Sequence, residues 1–175
     1  MPMINGKRMQ FMHLVSFHPS RLKVWIEWHL NRPFVNEALI NQYKKERVPK
    51  VKAAILTTLG ELRAIEFISE LKEIASGSDN ELAIRALVSL STMNRQSMTL
   101  DERRESSLRL CQLVSSSMVE ERRLVCIGLR NLGIGDDDQV FQTLLKLLQD
   151  ENATVRLEAG KTLTLLRTWF MPDCN

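Results

Sequence analysis

Four segments of the chain carry residues at offsets 0, 4, 8 and 11 that mark one face of a helix turning about every 3.6 residues. Three of them are fully apolar: Val51, Ile55, Leu59, Leu62; Leu82, Ala86, Leu90, Met93; and Val155, Ala159, Leu163, Leu166. The remaining one, Glu121, Val125, Leu129, Leu132, departs at its first position only. The leucines at offset 8 (Leu59, Leu90, Leu129 and Leu163) lie 31, 39 and 34 residues apart, an interval expected of stacked helical repeats. A lone helical hairpin cannot bury both sides of its apolar face, so neighbouring hairpins must stack and share a core. Composition agrees with an all-α chain: 7 Gly and 5 Pro in 175 residues, 6% aromatic residues, and many Leu, Glu, Lys, Arg and Ala.

Each marked helix has a second amphipathic stretch before it, at roughly 34–43, 65–76, 101–115 and 138–149, which makes each unit a helical hairpin. The punctuation matches. Ser76-Gly77-Ser78-Asp79-Asn80 and Gly133-Ile134-Gly135-Asp136-Asp137-Asp138 offer C-cap glycines followed by N-cap Asp or Asn, and Pro49 opens a first turn. The long third interval comes from a polar insertion at 94–100, with Thr99 placed to cap the helix that follows. The expected units are 33–62, 63–95, 99–133 and 136–168, with a segment 1–32 before them and a tail, 169–175, after them. Within 1–32, residues 21–30 read as a capping helix with Leu22, Trp25, Ile26 and His29 on one side.

These residues resemble the HEAT-repeat family, whose second helix follows V-R-x-x-A-x-x-A-L-G-x-L. Val51-Lys52 with Leu59-Gly60 and Leu62, and Val155-Arg156 with Ala159 and Leu163, match it best. The likeness covers 33–168 and implies a right-handed α-solenoid of about four stacked hairpins. The family also places an acid six residues before the basic one, forming a ladder between repeats; Glu46 with Lys52 and Asp150 with Arg156 keep that spacing. The middle repeats depart from it, since Asp79 and Arg85 are out of phase with Leu90 and Arg122 has Ser116 where the acid belongs.

The chemistry-bearing residues assemble no catalytic set. His13, His18 and His29 are confined to the first thirty residues without metal-ligand spacing, and no His precedes a Glu as in the family's iron-dependent hydroxylase. Cys111 and Cys126 occupy helical positions where a thiol packs as a small hydrophobe, and Cys174 lies in the tail; three cysteines without a C-x-x-C pair fit a reducing compartment. Gly128, Gly133 and Gly135 lack the Lys-Ser/Thr of a phosphate loop, and Asp136-Asp137-Asp138 lacks EF-hand spacing. No cofactor or metal is expected, and the chain reads as non-enzymatic. No stretch approaches the roughly 20 apolar residues of a membrane span, and the first sixteen residues lack a signal-peptide core, so the expected location is cytoplasmic.

What remains is binding. Residues 1–63 hold eleven Lys/Arg against four Glu, whereas 64–175 hold thirteen against seventeen acids. The basic run includes Lys44, Lys45, Arg47, Lys50 and Lys52, and the second helices add Arg85, Arg122, Arg123, Arg130, Arg156 and Lys161. With Trp25 and Trp28 as a paired aromatic anchor, these positions are expected to hold an acidic protein partner. The alternative is nucleic-acid binding on a basic face, as in HEAT-like DNA glycosylases, and a third is a pigment-lyase type chaperone with similar repeat spacing. Trp169-Phe170-Met171 would cover the last repeat or, left bare, mark a contact between copies.

Overall fold

The computed structural model describes residues 32–93, 98–116 and 118–170, with side chains for 33–93, 98–116 and 118–167. Among the described residues there are eight α-helices, two 3-10 turns and no strand. The helices are α1 (Arg32–Lys45), α2 (Pro49–Glu61), α3 (Ile68–Ala75), α4 (Asn80–Met93), α5 (Leu100–Gln112), α6 (Val119–Leu132), α7 (Asp138–Leu147) and α8 (Ala153–Phe170). The 3-10 turns, Ile65–Phe67 and Leu113–Ser115, precede α3 and follow α5. No helix among the described residues is long and apolar enough to cross a membrane. The chain divides into two compact units, Met1–Asn41 and Gln42–Asn175, with the boundary inside α1. In the first, the described part of α1 exposes Phe34 and Val35 and buries Asn36.

In the second unit the packing follows chain order. α3 packs on α4, α5 on α6 and α7 on α8 as hairpins, while α2 packs on α4, α4 on α6 and α6 on α8; α5 also packs on α7. The marker leucines Leu59, Leu90 and Leu129 are buried with Ile55, Ala86, Val125, Leu132, Val155, Ala159 and Leu166, and Leu163 is half-buried, so the stripe faces the core except at Val51, which is exposed. Phe67 is fully buried and meets the Tyr43 ring edge-on, centroids 5.4 Å apart and planes at 72°. Glu121, which interrupts the third stripe, is buried as well: the Ser116 hydroxyl donates to its carboxylate, so a polar side chain holds an apolar position.

Successive second helices are stitched by hydroxyls that the apolar pattern leaves out. Ser89 Oγ on α4 donates to Leu56 O on α2 at 2.8 Å, and Thr162 Oγ1 on α8 donates to Cys126 O on α6 at 3.0 Å. Ser89 and Thr162 each stand one residue before their marker leucine, and Leu56 and Cys126 each stand three before theirs. Both bonds therefore join the same two repeat positions. In α6 the first of these positions is Gly128, where a Cβ would come within 2.7 Å of Leu110 Cδ1 and 3.2 Å of Val88 Cγ2. Gly60 lets α2 close on α4, since a Cβ there would lie 2.9 Å from the Ser89 Cα.

The helix ends confirm most of the expected punctuation. Thr99 and Glu102 form a reciprocal capping box at α5, Asp137 accepts from Gln139 N and Val140 N at α7, and Gly133 ends α6 in the left-handed region at φ 65°. Gly77 is different: the C-cap of α3 is Ser76, in a right-handed conformation, and Gly77 is not a left-handed cap. The left-handed cap of α2 is Arg63, at φ 52°. Arg63 N donates to Gly60 O at 3.1 Å and Ala64 N to Leu59 O at 3.0 Å, the paired bonds of a Schellman motif. A non-glycine residue there costs about 1 kcal/mol of backbone strain. Arg63→Gly should therefore raise unfolding stability by about 0.5 kcal/mol, after glycine's greater loss of chain entropy, as read from the urea midpoint.

Candidate partner-binding surface

The basic run lies where α1 ends and α2 begins. Lys44 and Lys45 occupy the last turn of α1, where the helix dipole favours cations, and Pro49 supplies the pre-set φ that opens α2. Glu46, the acid within the run, turns back on the chain: its carboxylate accepts from Arg47 N at 2.8 Å, Val48 N at 2.9 Å and Gln42 Nε2 at 3.1 Å. Those bonds, led by Val48 and then Arg47, hold its carboxyl below the usual range. Lys52 is half-buried with its Nζ 5.0 Å from the centre of the Tyr43 ring, a cation–π contact, and makes no ion pair with Glu46. Lys44, Lys45, Arg47 and Lys50 are exposed and form no ion pair with a described residue.

Farther along, most of the basic side chains are matched by acids of this chain. Arg122 is buried and grips Asp150 with both arms of its fork, Nε to Oδ2 at 2.6 Å and Nη2 to Oδ1 at 2.9 Å, while Nη1 donates to Ser116 O at 3.1 Å. Arg130 meets Glu158 at 3.0 Å, Lys161 meets the same carboxylate at 3.1 Å, and Arg123 is paired with Glu120 at 2.8 Å. Arg85 is half-buried and reaches Thr57 Oγ1 at 3.4 Å, with its Nε buried and without a hydrogen-bond partner. Arg156 is exposed and donates through Nη1 to Asp150 O at 2.7 Å and Glu151 O at 2.9 Å. The acid absent six residues before Arg122 is thus supplied by the next hairpin. The same acid, paired with Arg156 by sequence spacing, offers Arg156 its main-chain carbonyl. Trp25 and Trp28 lie outside the described residues, as do the capping helix at 21–30, the three histidines, the insertion residues 94–97 and, beyond Phe170, Met171 and Cys174; the side chains of Trp169 and Phe170 are likewise not described.

Sequence reasoning missed a further feature, an open groove of about 570 Å³ lined by residues of α3, α4 and α5. Lys72 and Glu102 pair across it at 2.8 Å, and Arg109 Nη2 ties the α5 side to Gly77 O at 3.1 Å. The signal for such pairs was their repeat-length separation, 30 residues for Lys72 and Glu102 and 28 for Arg122 and Asp150. The groove holds no thiol. Cys111 and Cys126 are free and buried, and burial pushes both thiols up, Cys126 to about 12, so neither is a ready nucleophile. Among the described residues no three His, Cys, Asp or Glu side chains converge to hold a metal.

No protein-family model, curated protein or solved structure matches the chain.

The ion pairs make stability depend on pH. Hydrogen bonds from Arg122, acting against burial, hold the Asp150 carboxyl below its ordinary range. Burial works to raise Glu158, and bonds from Lys161 and Arg130 more than reverse it, leaving it lowered too. A lowered folded-state pKa contributes stability that is present above the unfolded value, roughly 4 to 4.5, and is lost as pH falls through the folded one. Urea midpoints should therefore hold level down to about pH 4.5 and fall below it. Asp150→Asn should lower the neutral plateau and flatten the acid fall; an unchanged acid limb would remove Asp150 from this account.

Proposed function

We propose that this chain is a HEAT-type, right-handed α-solenoid acting as a non-enzymatic scaffold, and that an acidic protein segment is held at the α1–α2 junction and along the second helices. Three features support the repeat assignment: hairpins packed in chain order, hydroxyl-to-carbonyl bonds at one repeat register, and an Arg–Asp pair crossing from the third hairpin to the fourth. Free thiols at Cys111 and Cys126 support a reducing, cytoplasmic setting.

The observation that carries the binding reading is the partition of charge. Arg122, Arg123, Arg130 and Lys161 have their charge matched within the chain, whereas Lys44, Lys45, Arg47 and Lys50 are exposed within seven residues and the one acid among them is held by backbone N–H groups. A short, dense cluster suits an acidic peptide. Duplex nucleic acid calls for a longer basic track, which internal pairing interrupts.

The test is fluorescence anisotropy with a glutamate-rich peptide and with a DNA duplex, at salt from about 50 to 200 mM. The peptide should bind, and Lys44→Glu/Lys45→Glu/Lys50→Glu should weaken it about tenfold or more. Tighter binding of the duplex, with a steep salt slope removed by the same substitutions, would replace this reading with a nucleic-acid one. Binding of neither would overturn the acidic-partner proposal.

A further inference from the structure

The register that joins α2 to α4 and α6 to α8 also identifies two faces that no described residue of 42–167 fills. On α8, Leu157 and Gly160 stand six and three residues before the marker Leu163. The matching residues are Ala53 and Leu56 on α2, Ile84 and Leu87 on α4, and Arg123 and Cys126 on α6. In α2 and α4, which pack on the second helices that follow them, all four are buried, yet Leu157 is 57% exposed. Beside it, α7 and its C-cap expose Phe141, Leu145 and Leu148 at the positions where α5, packed on α7, and the 3-10 turn after it have Ser107, Cys111 and Val114 buried or half-buried. An apolar stripe of this kind, rimmed by charge, is the usual mark of a contact surface.

At the other end of the second unit, α2 exposes Val51, Ala54, Thr58 and Glu61. Val51 is 41% exposed, while its counterpart Val155 is fully buried. Thr58 is the counterpart of Thr162, whose hydroxyl bonds the preceding helix; Thr58 Oγ1 instead donates to its own Ala54 O at 3.0 Å.

The charges on the two faces match. Arg156 and Arg122 both stand seven residues before their markers, and each donates Nη1 to the carbonyl six residues before it. Arg122 spends Nε and Nη2 on Asp150, whereas those atoms of Arg156 bond nothing among the described residues. Asp150 stands thirteen residues before Leu163, and Glu46 stands thirteen before Leu59. Asp150 also accepts from the N–H two residues on, that of Asn152 at 2.9 Å, as Glu46 does from Val48 at 2.9 Å. Among the described residues, Glu46 thus holds the acid's place with no arginine on it, and Arg156 the arginine's place with no acid on its Nε and Nη2.

From this we infer that two copies of the chain dock head to tail: the α7–α8 face of one copy receives the α2 face of the next, Arg156 of the first bonds Glu46 of the second, and Leu157 and Gly160 pack on Ala54 and Thr58. A face-to-face pairing of two α8 helices would bring Arg156 and Lys161 of one copy against those of the other, which like-charge repulsion opposes. A head-to-tail contact does not close on itself in a pair, so assembly grows with concentration into chains or rings. The inference rests on the register within residues 42–170 and is independent of the acidic-partner reading.

Sedimentation velocity of the full 175-residue chain, from about 1 to 100 µM, tests it. The chain should form species larger than a dimer, and Arg156→Ala should raise the dissociation constant about tenfold or more. Leu157→Glu, blocking the α8 face, and Thr58→Arg, blocking the α2 face, should each run as monomers with unchanged circular dichroism; mixed in equal amounts they should give a dimer and nothing larger. A monomeric wild-type chain across the range would overturn the inference. So would a Thr58→Arg variant that still dimerises by itself, which would identify an α8–α8 contact instead.

Discussion

The close approach of each second helix to the one before it governs most of what is seen in residues 42–170. Ser89 and Thr162 reach the carbonyls of Leu56 and Cys126, and a main-chain carbonyl inside a helix is within reach of a neighbouring hydroxyl only when the helices nearly touch. Small residues make that approach available: Gly60 admits the backbone of α4, and Gly128 admits Leu110 and Val88. Contacts then run from each hairpin to the next, so the core grows by addition of neighbours.

The same register organises charge. In the contact between α6 and α8, Arg122 of one hairpin grips Asp150, which stands just before the second helix of the next, and Arg130–Glu158 closes a little over two turns away. Because the fork is nearly shielded from water and every arm of the guanidinium has an acceptor, it avoids the unpaired charge that makes a buried arginine costly. The cost of matching charge internally is that these side chains have less to offer a partner. The lysines at the α1–α2 junction are not in that position.

Among the described residues, helix count, order and most ends were legible because they depend on local rules: a 3.6-residue stripe, a capping threonine, aspartates before α7. The exceptions have physical reasons. Glu121 reads as a break in the stripe but is buried, because Ser116 supplies a hydroxyl that no periodicity reveals. Arg63 takes the left-handed cap that glycine usually holds, since the paired bonds through Ala64 and Leu59 fix the backbone there. Six residues before Arg122 stands Ser116 and no acid, whereas its acidic partner lies 28 residues ahead, a distance set by how hairpins stack and invisible within one repeat. The candidate surface was legible only as a set of basic positions; which of them are matched by acids depends on those between-hairpin contacts.

The fork between Arg122 and Asp150 locks α6 and α8 in this register. A double-mutant cycle measures it directly, with urea unfolding of the Arg122→Ala, Asp150→Ala and combined variants at neutral pH. Coupling of about 1.5 kcal/mol is expected for a shielded, two-armed charged pair. Additive losses, with coupling near zero, would contradict the claim and leave the apolar stripe alone to hold the helices together.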